Sequence, residues 1–92
     1  MSIMNFDFDP AKDAKIRAER GFGFAEAAAI FGGRVEEHQD TRRDYGEVRM
    51  IAVGQAHGVF YTVAYTDRGT VRHLITAWPS NRKERKAWLA SA

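Results

Sequence analysis

Residues 59–78 read VFYTVAYTDRGTVRHLITAW, two runs rich in β-branched and aromatic residues separated by Asp67-Arg68-Gly69. That composition favours strands, and a short glycine-containing break between two such runs predicts a hairpin of strands Val59–Thr66 and Thr70–Trp78. Upstream, Glu47–Val53 has the same character and joins Val59 through His57-Gly58, a second hairpin connection. The last three strands therefore read as an antiparallel meander. Arg34–Gln39 is a weaker strand, and Thr41–Gly46 is a polar loop between it and the meander.

Ahead of these strands the pattern changes. Asn5-Phe6-Asp7-Phe8-Asp9 alternates polar and apolar residues, the period of a half-buried strand with Phe6 and Phe8 inward. Asp9-Pro10 combines an N-cap residue with the imino acid suited to a first helical position, so a helix is expected from Pro10 to about Arg20, ended by Gly21. Phe24, Ala27, Ala28 and Phe31 form one apolar stripe at helical spacing, which predicts a second short helix stopped by Gly32-Gly33. Near the C-terminus, Asn81 followed by Glu84 is a helix-start signature, with Ala87, Trp88 and Leu89 or Ala90 as its buried face. The predicted order is β-α-α-β-β-β-β-α, without repeat or linker, so a single domain spanning residues 1–92 is expected.

Length and composition bound the function classes. A chain of 92 residues with 45% hydrophobic and 28% charged residues fits one folded unit and argues against disorder. Its longest apolar run, Ala27–Phe31, is too short to cross a bilayer. No basic start followed by an apolar stretch stands at the N-terminus, so no secretory signal is expected. Zero cysteines exclude disulfides and thiolate metal sites, in keeping with a cytoplasmic location. The net charge of +2 conceals a split: residues 1–46 carry 7 basic and 9 acidic groups, or −2, and residues 47–92 carry 7 basic and 3 acidic groups, or +4. Ten of the fourteen basic residues are arginines, whose planar fork matches phosphate, so a polyanionic partner is expected.

The residues that can carry chemistry are few. Asp7 and Asp9 share one strand face, where paired carboxylates suit a hard cation or simply a solvated face and a helix cap. His38, His57 and His73 lack metal-ligand spacing, and no metal or other cofactor is expected. Gly21-Phe22-Gly23 and Gly32-Gly33 do not follow strands as a phosphate-binding loop would. Ser2, Ser80 and Ser91 lack the setting of an activated nucleophile. Glu47 and Arg49, two apart on a strand, would share one face with Val48, Met50 and Ala52 on the other. Together with Arg72 and the helix residues Arg82, Lys83, Arg85 and Lys86 they offer one basic surface, although solvated charges on an ordinary domain give the same pattern. RNA cleavage without a metal needs a base for the 2′-hydroxyl, cations at the phosphate and an acid for the leaving oxygen, all of which such residues supply.

Four segments in order resemble the BrnT family, the toxins of BrnT and BrnA type II toxin-antitoxin pairs: Phe6-Asp7-Phe8-Asp9-Pro10-Ala11-Lys12; Gly21-Phe22-Gly23-Phe24-Ala25-Glu26-Ala27; Glu47-x-Arg49 with Gly54; and Ile75-Thr76-Ala77 leading to Glu84-Arg85 and Trp88. The resemblance implies an α+β, RelE-like fold: a small antiparallel sheet with two N-terminal helices and one C-terminal helix. It also implies an endoribonuclease that inhibits translation, a BrnA-like ribbon-helix-helix antitoxin as partner, and contact with operator DNA only through that antitoxin. The chain departs from the family pattern at Glu19-Arg20, where a lysine and a histidine are usual, and at Thr76-Ala77-Trp78, where Ser-Ala-Arg is common. On this resemblance Glu47 is the candidate base and His73 the acid or a phosphate contact. Arg49, Arg72 and Arg20 would hold phosphate, and Lys12 and Arg82 would extend the RNA-binding surface. The loss of an arginine at Trp78 also fits an alternative, a catalytically weak module that binds the antitoxin and acts as co-repressor.

Overall fold

A computed structural model describes residues 5–91. Ser2 and the N-terminal residues bearing on a secretory signal lie outside the described residues. The elements are β1 (Asn5–Phe8), α1 (Pro10–Arg20), α2 (Phe24–Ala28), a 3-10 turn (Ala29–Gly32), β2 (Val35–Gln39), β3 (Met50–Ala56), β4 (Val59–Arg68), β5 (Val71–Pro79) and α3 (Arg82–Ala90). The class is α+β, as expected.

Local chemistry sets the helix limits. The Asp9 carboxylate accepts the Ala11 N–H at 2.9 Å, Pro10 opens α1, and Gly21 closes it at φ 79° with its N–H on the Arg17 carbonyl. The second helix is shorter than its apolar stripe predicts. After five residues it tightens into the 3-10 turn, which brings Ile30 to full burial and leaves Phe31 half-buried. Ile30 lies over Gly54 of β3: a Cβ built at Gly54 would stand 2.8 Å from Ile30 Cβ. The absent side chain lets helix and sheet meet.

The sheet has the order β1-β5-β4-β3-β2. Strands β2 to β5 form the antiparallel meander, extended by one strand over the predicted three. At one edge β1 pairs parallel with β5, Asp7 opposite His73, so the sheet is mixed rather than wholly antiparallel. The expected hairpin at His57-Gly58 has both residues at positive φ, 52° and 78°, the backbone that matches strand twist. The second turn falls one residue later than predicted, with β4 continuing through Arg68 and Gly69 at φ 63°.

Strand β3 runs over Met50–Ala56 instead of Glu47–Val53. The reason lies in Asp40. Its buried carboxylate accepts hydrogen bonds from the Arg42 side chain at 2.8 Å, the Arg42 N–H and the Tyr45 hydroxyl, winding residues 40–46 into a loop that delays pairing. Val48 is therefore exposed, at 58%, and does not share the inward face with Met50 and Ala52.

The two sheet faces differ. The first is covered by α1, α2 and the 3-10 turn, whose Ile16, Phe24, Ala27 and Ile30 pack on Ala52, Val63, Tyr65, Leu74 and Ala77. Fully burying each large apolar side chain contributes about 1.5–3 kcal/mol, so this layer dominates stability. The second face carries α3, where Trp88 meets Phe60 edge-on at 5.3 Å and its indole N–H donates to the Arg34 carbonyl. Asn81 and Glu84 cap α3 reciprocally at 2.8 Å, whereas Leu89 points to solvent. Ser80, just ahead of α3, is buried and shares a hydrogen bond with Thr62 at 2.8 Å.

Candidate functional site

Strand alternation sends Arg72 and His73, neighbours on β5, to opposite faces. Arg72 goes to the first face, where its Nε and Nη2 bind both oxygens of Asp67 at 2.8 and 2.9 Å. Its guanidinium also lies over the rings of Tyr65, at 4.0 Å, and Phe31, at 4.7 Å. Hydrogen bonding to Asp67 holds its pKa above the ordinary arginine value. The Tyr65 hydroxyl beside it donates to Glu37 at 2.6 Å, and burial pushes that phenol well above its usual range.

His73 goes to the second face. Its Nδ1 lies 2.5 Å from Asp7 Oδ1 across the parallel β1–β5 pair. An ionised carboxylate only accepts, so the hydrogen sits on Nδ1 and Nε2 is left as the free ring nitrogen. The same transverse row continues to Thr66, opposite His73 on β4. The Asp40 N–H donates to the Arg49 carbonyl at 2.8 Å, which carries the β2–β3 ladder one step past Gln39 and Met50. Because Met50 faces Tyr65, this step sets Arg49 opposite Thr66. Asp7, His73, Thr66 and Arg49 thus line up across the sheet, neighbouring strands being about 4.8 Å apart.

The loop that displaced β3 completes this row. Tyr45, held by Asp40, places its ring 3.8 Å from the Arg49 guanidinium carbon, a cation–π platform. Arg49 Nε is buried without a hydrogen-bond partner, a donor that a buried site ordinarily satisfies. Thr66 Oγ1 donates to the Val48 carbonyl at 2.7 Å, fixing the end of the loop against β4. Next to it, Glu47 pairs with Arg68 at 3.3 Å.

The predicted set is therefore divided. Glu47, Arg49 and His73 share the second face, His73 and Arg49 on either side of Thr66, whereas Arg82 opens α3 beyond the far end of β5 and is not brought to the row. Arg20, Lys12 and Arg72 belong to the first-face side. Arg20 ends α1 just before Phe22, which packs on Tyr61. Arg72 binds Asp67, six residues further along β4, roughly 20 Å at strand rise. Lys12 Nζ donates at 2.6 Å to the Ile75 carbonyl, at the bulge where the β4–β5 register skips Ile75. Trp78 donates its indole N–H to Glu84 at 3.1 Å. Asp7, Tyr45, Thr66 and Arg68 were not anticipated in these roles. Asp7 and His73 lie 66 residues apart, and only the parallel pairing brings them together.

No helix among the described residues is long and apolar enough to cross a membrane. The protein is thus a small α+β domain with a mixed five-stranded sheet, helices on both faces and a histidine-arginine row on one of them. The chain matches the family described as the ribonuclease toxin, BrnT, of type II toxin-antitoxin systems over residues 8–84, and it belongs to that family. The family assignment makes RNA the substrate and an antitoxin the partner. A search of curated proteins gives no match.

Proposed function

We propose that the protein is a metal-independent endoribonuclease whose reaction takes place over the second-face row, neutralised by a BrnA-like ribbon-helix-helix antitoxin that alone carries operator DNA binding. The observation carrying this reading is the Asp7-oriented His73 in line with Arg49. In the reaction the RNA 2′-oxygen attacks the adjacent phosphorus and the bond from phosphorus to the 5′-oxygen breaks. A 2′,3′-cyclic phosphate and a 5′-hydroxyl result. Glu47 takes the 2′-hydroxyl proton once RNA phosphate replaces it as partner of Arg68, and His73, entering the reaction as imidazolium with its Nδ1–H on Asp7, gives its Nε2 proton to the leaving oxygen. Arg49, stacked on Tyr45 and with an unpaired Nε–H, holds the phosphate as its charge develops.

Purified protein incubated with RNA in EDTA should yield cyclic-phosphate ends, and His73→Ala or Arg49→Ala should abolish them. Cleavage that requires added magnesium, or equal cleavage by both variants, overturns this reading. The alternative, a weakly catalytic co-repressor, is favoured by Trp78 in place of arginine. It predicts a tight antitoxin complex without growth arrest when the protein is induced alone.

A further inference from the structure

At the open end of the first face, beyond the 3-10 turn, lies a pocket of about 500 Å³ lined by Phe6, Phe31, Val35, Glu37 and Arg72. The proposed cleavage row uses none of these residues. We infer that this pocket binds a guanine base of the RNA substrate, Glu37 accepting from the base N1–H and N2–H groups and Arg72 donating to O6. The inference rests on the reading of the protein as a ribonuclease and adds the base it selects.

Three features carry it. Phe6 and Phe31 stack with centroids 5.6 Å apart, and Phe6 remains 42% exposed, so an aromatic surface is offered to an unpaired base. The carboxylate and guanidinium are both prearranged on Tyr65. Its hydroxyl holds Glu37 and its ring underlies Arg72, whose Nη1 hydrogens remain after Asp67 has taken Nε and Nη2. Finally, the charges discriminate among ligands. Glu37 repels a phosphate, and Arg72 repels the lysine or arginine of a protein partner. A neutral ring with donors and an acceptor side by side meets neither penalty. Guanine presents that edge, whereas adenine has an acceptor at N1 and would face the carboxylate unpaired. Because Arg72 and His73 are consecutive, pocket and cleavage row lie on either side of one strand. Single-stranded RNA passing over the β1 edge reaches both.

The test is equilibrium binding of GMP, AMP, CMP and UMP by calorimetry, with guanosine to remove the phosphate. GMP and guanosine should bind roughly tenfold to a hundredfold tighter than the adenine counterparts. Glu37→Gln, which keeps an acceptor for Tyr65, should abolish that preference. His73→Ala should lose cleavage yet bind GMP normally, which separates this pocket from the cleavage reading. Equal affinity for all four nucleotides, or a guanine preference that survives Glu37→Gln, overturns the inference. Displacement of GMP is also expected from RNA, and a basic peptide that binds the pocket in preference to GMP would assign it to a protein partner instead.

Discussion

Asp7 and His73 are bonded side chain to side chain at 2.5 Å although they belong to the first and last strands along the chain, which the sheet makes neighbours. The carboxylate fixes the ring, so Nε2 is presented at a defined position on the second face. Loss of the imidazole should lower the rate of RNA cleavage by about 10²- to 10⁴-fold, the usual range for a proton-transfer group. Asp7→Asn should cost less, since the ring remains but its tautomer and orientation are no longer enforced. Single-turnover cleavage of a short RNA measures both. A wild-type rate for His73→Ala removes His73 from the chemistry.

The Arg49 guanidinium stacks on Tyr45, and Tyr45 is itself tied to Asp40. Arg49→Lys retains the charge but loses the planar fork, and Tyr45→Leu removes the platform while leaving Arg49 in place. Both should weaken RNA binding, and the slope of log affinity against log salt should flatten only when the charge itself is removed, as in Arg49→Ala. Filter binding at several salt concentrations distinguishes the cases. An unchanged slope in Arg49→Ala means that Arg49 touches no phosphate.

Much of the fold was legible because local chemistry and tertiary structure agree. Asp9-Pro10 with Gly21 bounds α1, His57-Gly58 turns the first hairpin, and the Asn81 and Glu84 pair opens α3. The failures have long-range causes. Nothing near Asp40 in the chain announces that one buried carboxylate will gather Arg42 and Tyr45 and push β3 three residues downstream. The parallel β1–β5 pair is equally silent, since strand period fixes which residues share a face but not which strand becomes the neighbour. Arg72 and His73 are both expected at the RNA, as phosphate contact and acid, yet strand alternation sends them to opposite faces. Lys12 reads as a surface cation in the sequence, yet it caps a carbonyl at a bulge.

Asp40 couples that loop to pH. The Arg42 hydrogen bonds hold its carboxyl far below the usual carboxylate range, against the opposing effect of burial. A group with a depressed folded-state pKa stabilises the protein above its unfolded value, near pH 4, and that contribution fades as pH falls further toward the folded value. The stability of the wild type should therefore decline below about pH 4. Asp40→Asn should flatten this part of the curve. At neutral pH the variant should be destabilised by about 1.5–3 kcal/mol, the range for hydrogen bonds to a charged group. Urea titrations at neutral pH and at about pH 3 provide the comparison. Parallel curves for the two proteins would show that another carboxylate dominates.

Gly54 tests the packing of the helical layer on the sheet independently of any charge. A methyl group there meets Ile30 Cβ at 2.8 Å and Val35 Cγ1 at 3.1 Å, and Ile30 is fully buried with no free end to swing aside. Relief requires the 3-10 turn to lift from β3, so Gly54→Ala should cost about 1–3 kcal/mol through overpacking. Gly54→Ala combined with Ile30→Ala removes the Cγ2 that stands 3.4 Å from the new methyl and gives the turn room to shift, so the double variant should lose less than the sum of the single losses, a coupling expected only for residues in contact. Denaturant midpoints of the two single variants and the double variant give the interaction directly. Strict additivity would mean that the turn moves as a unit, rather than Ile30 alone setting the approach to the sheet.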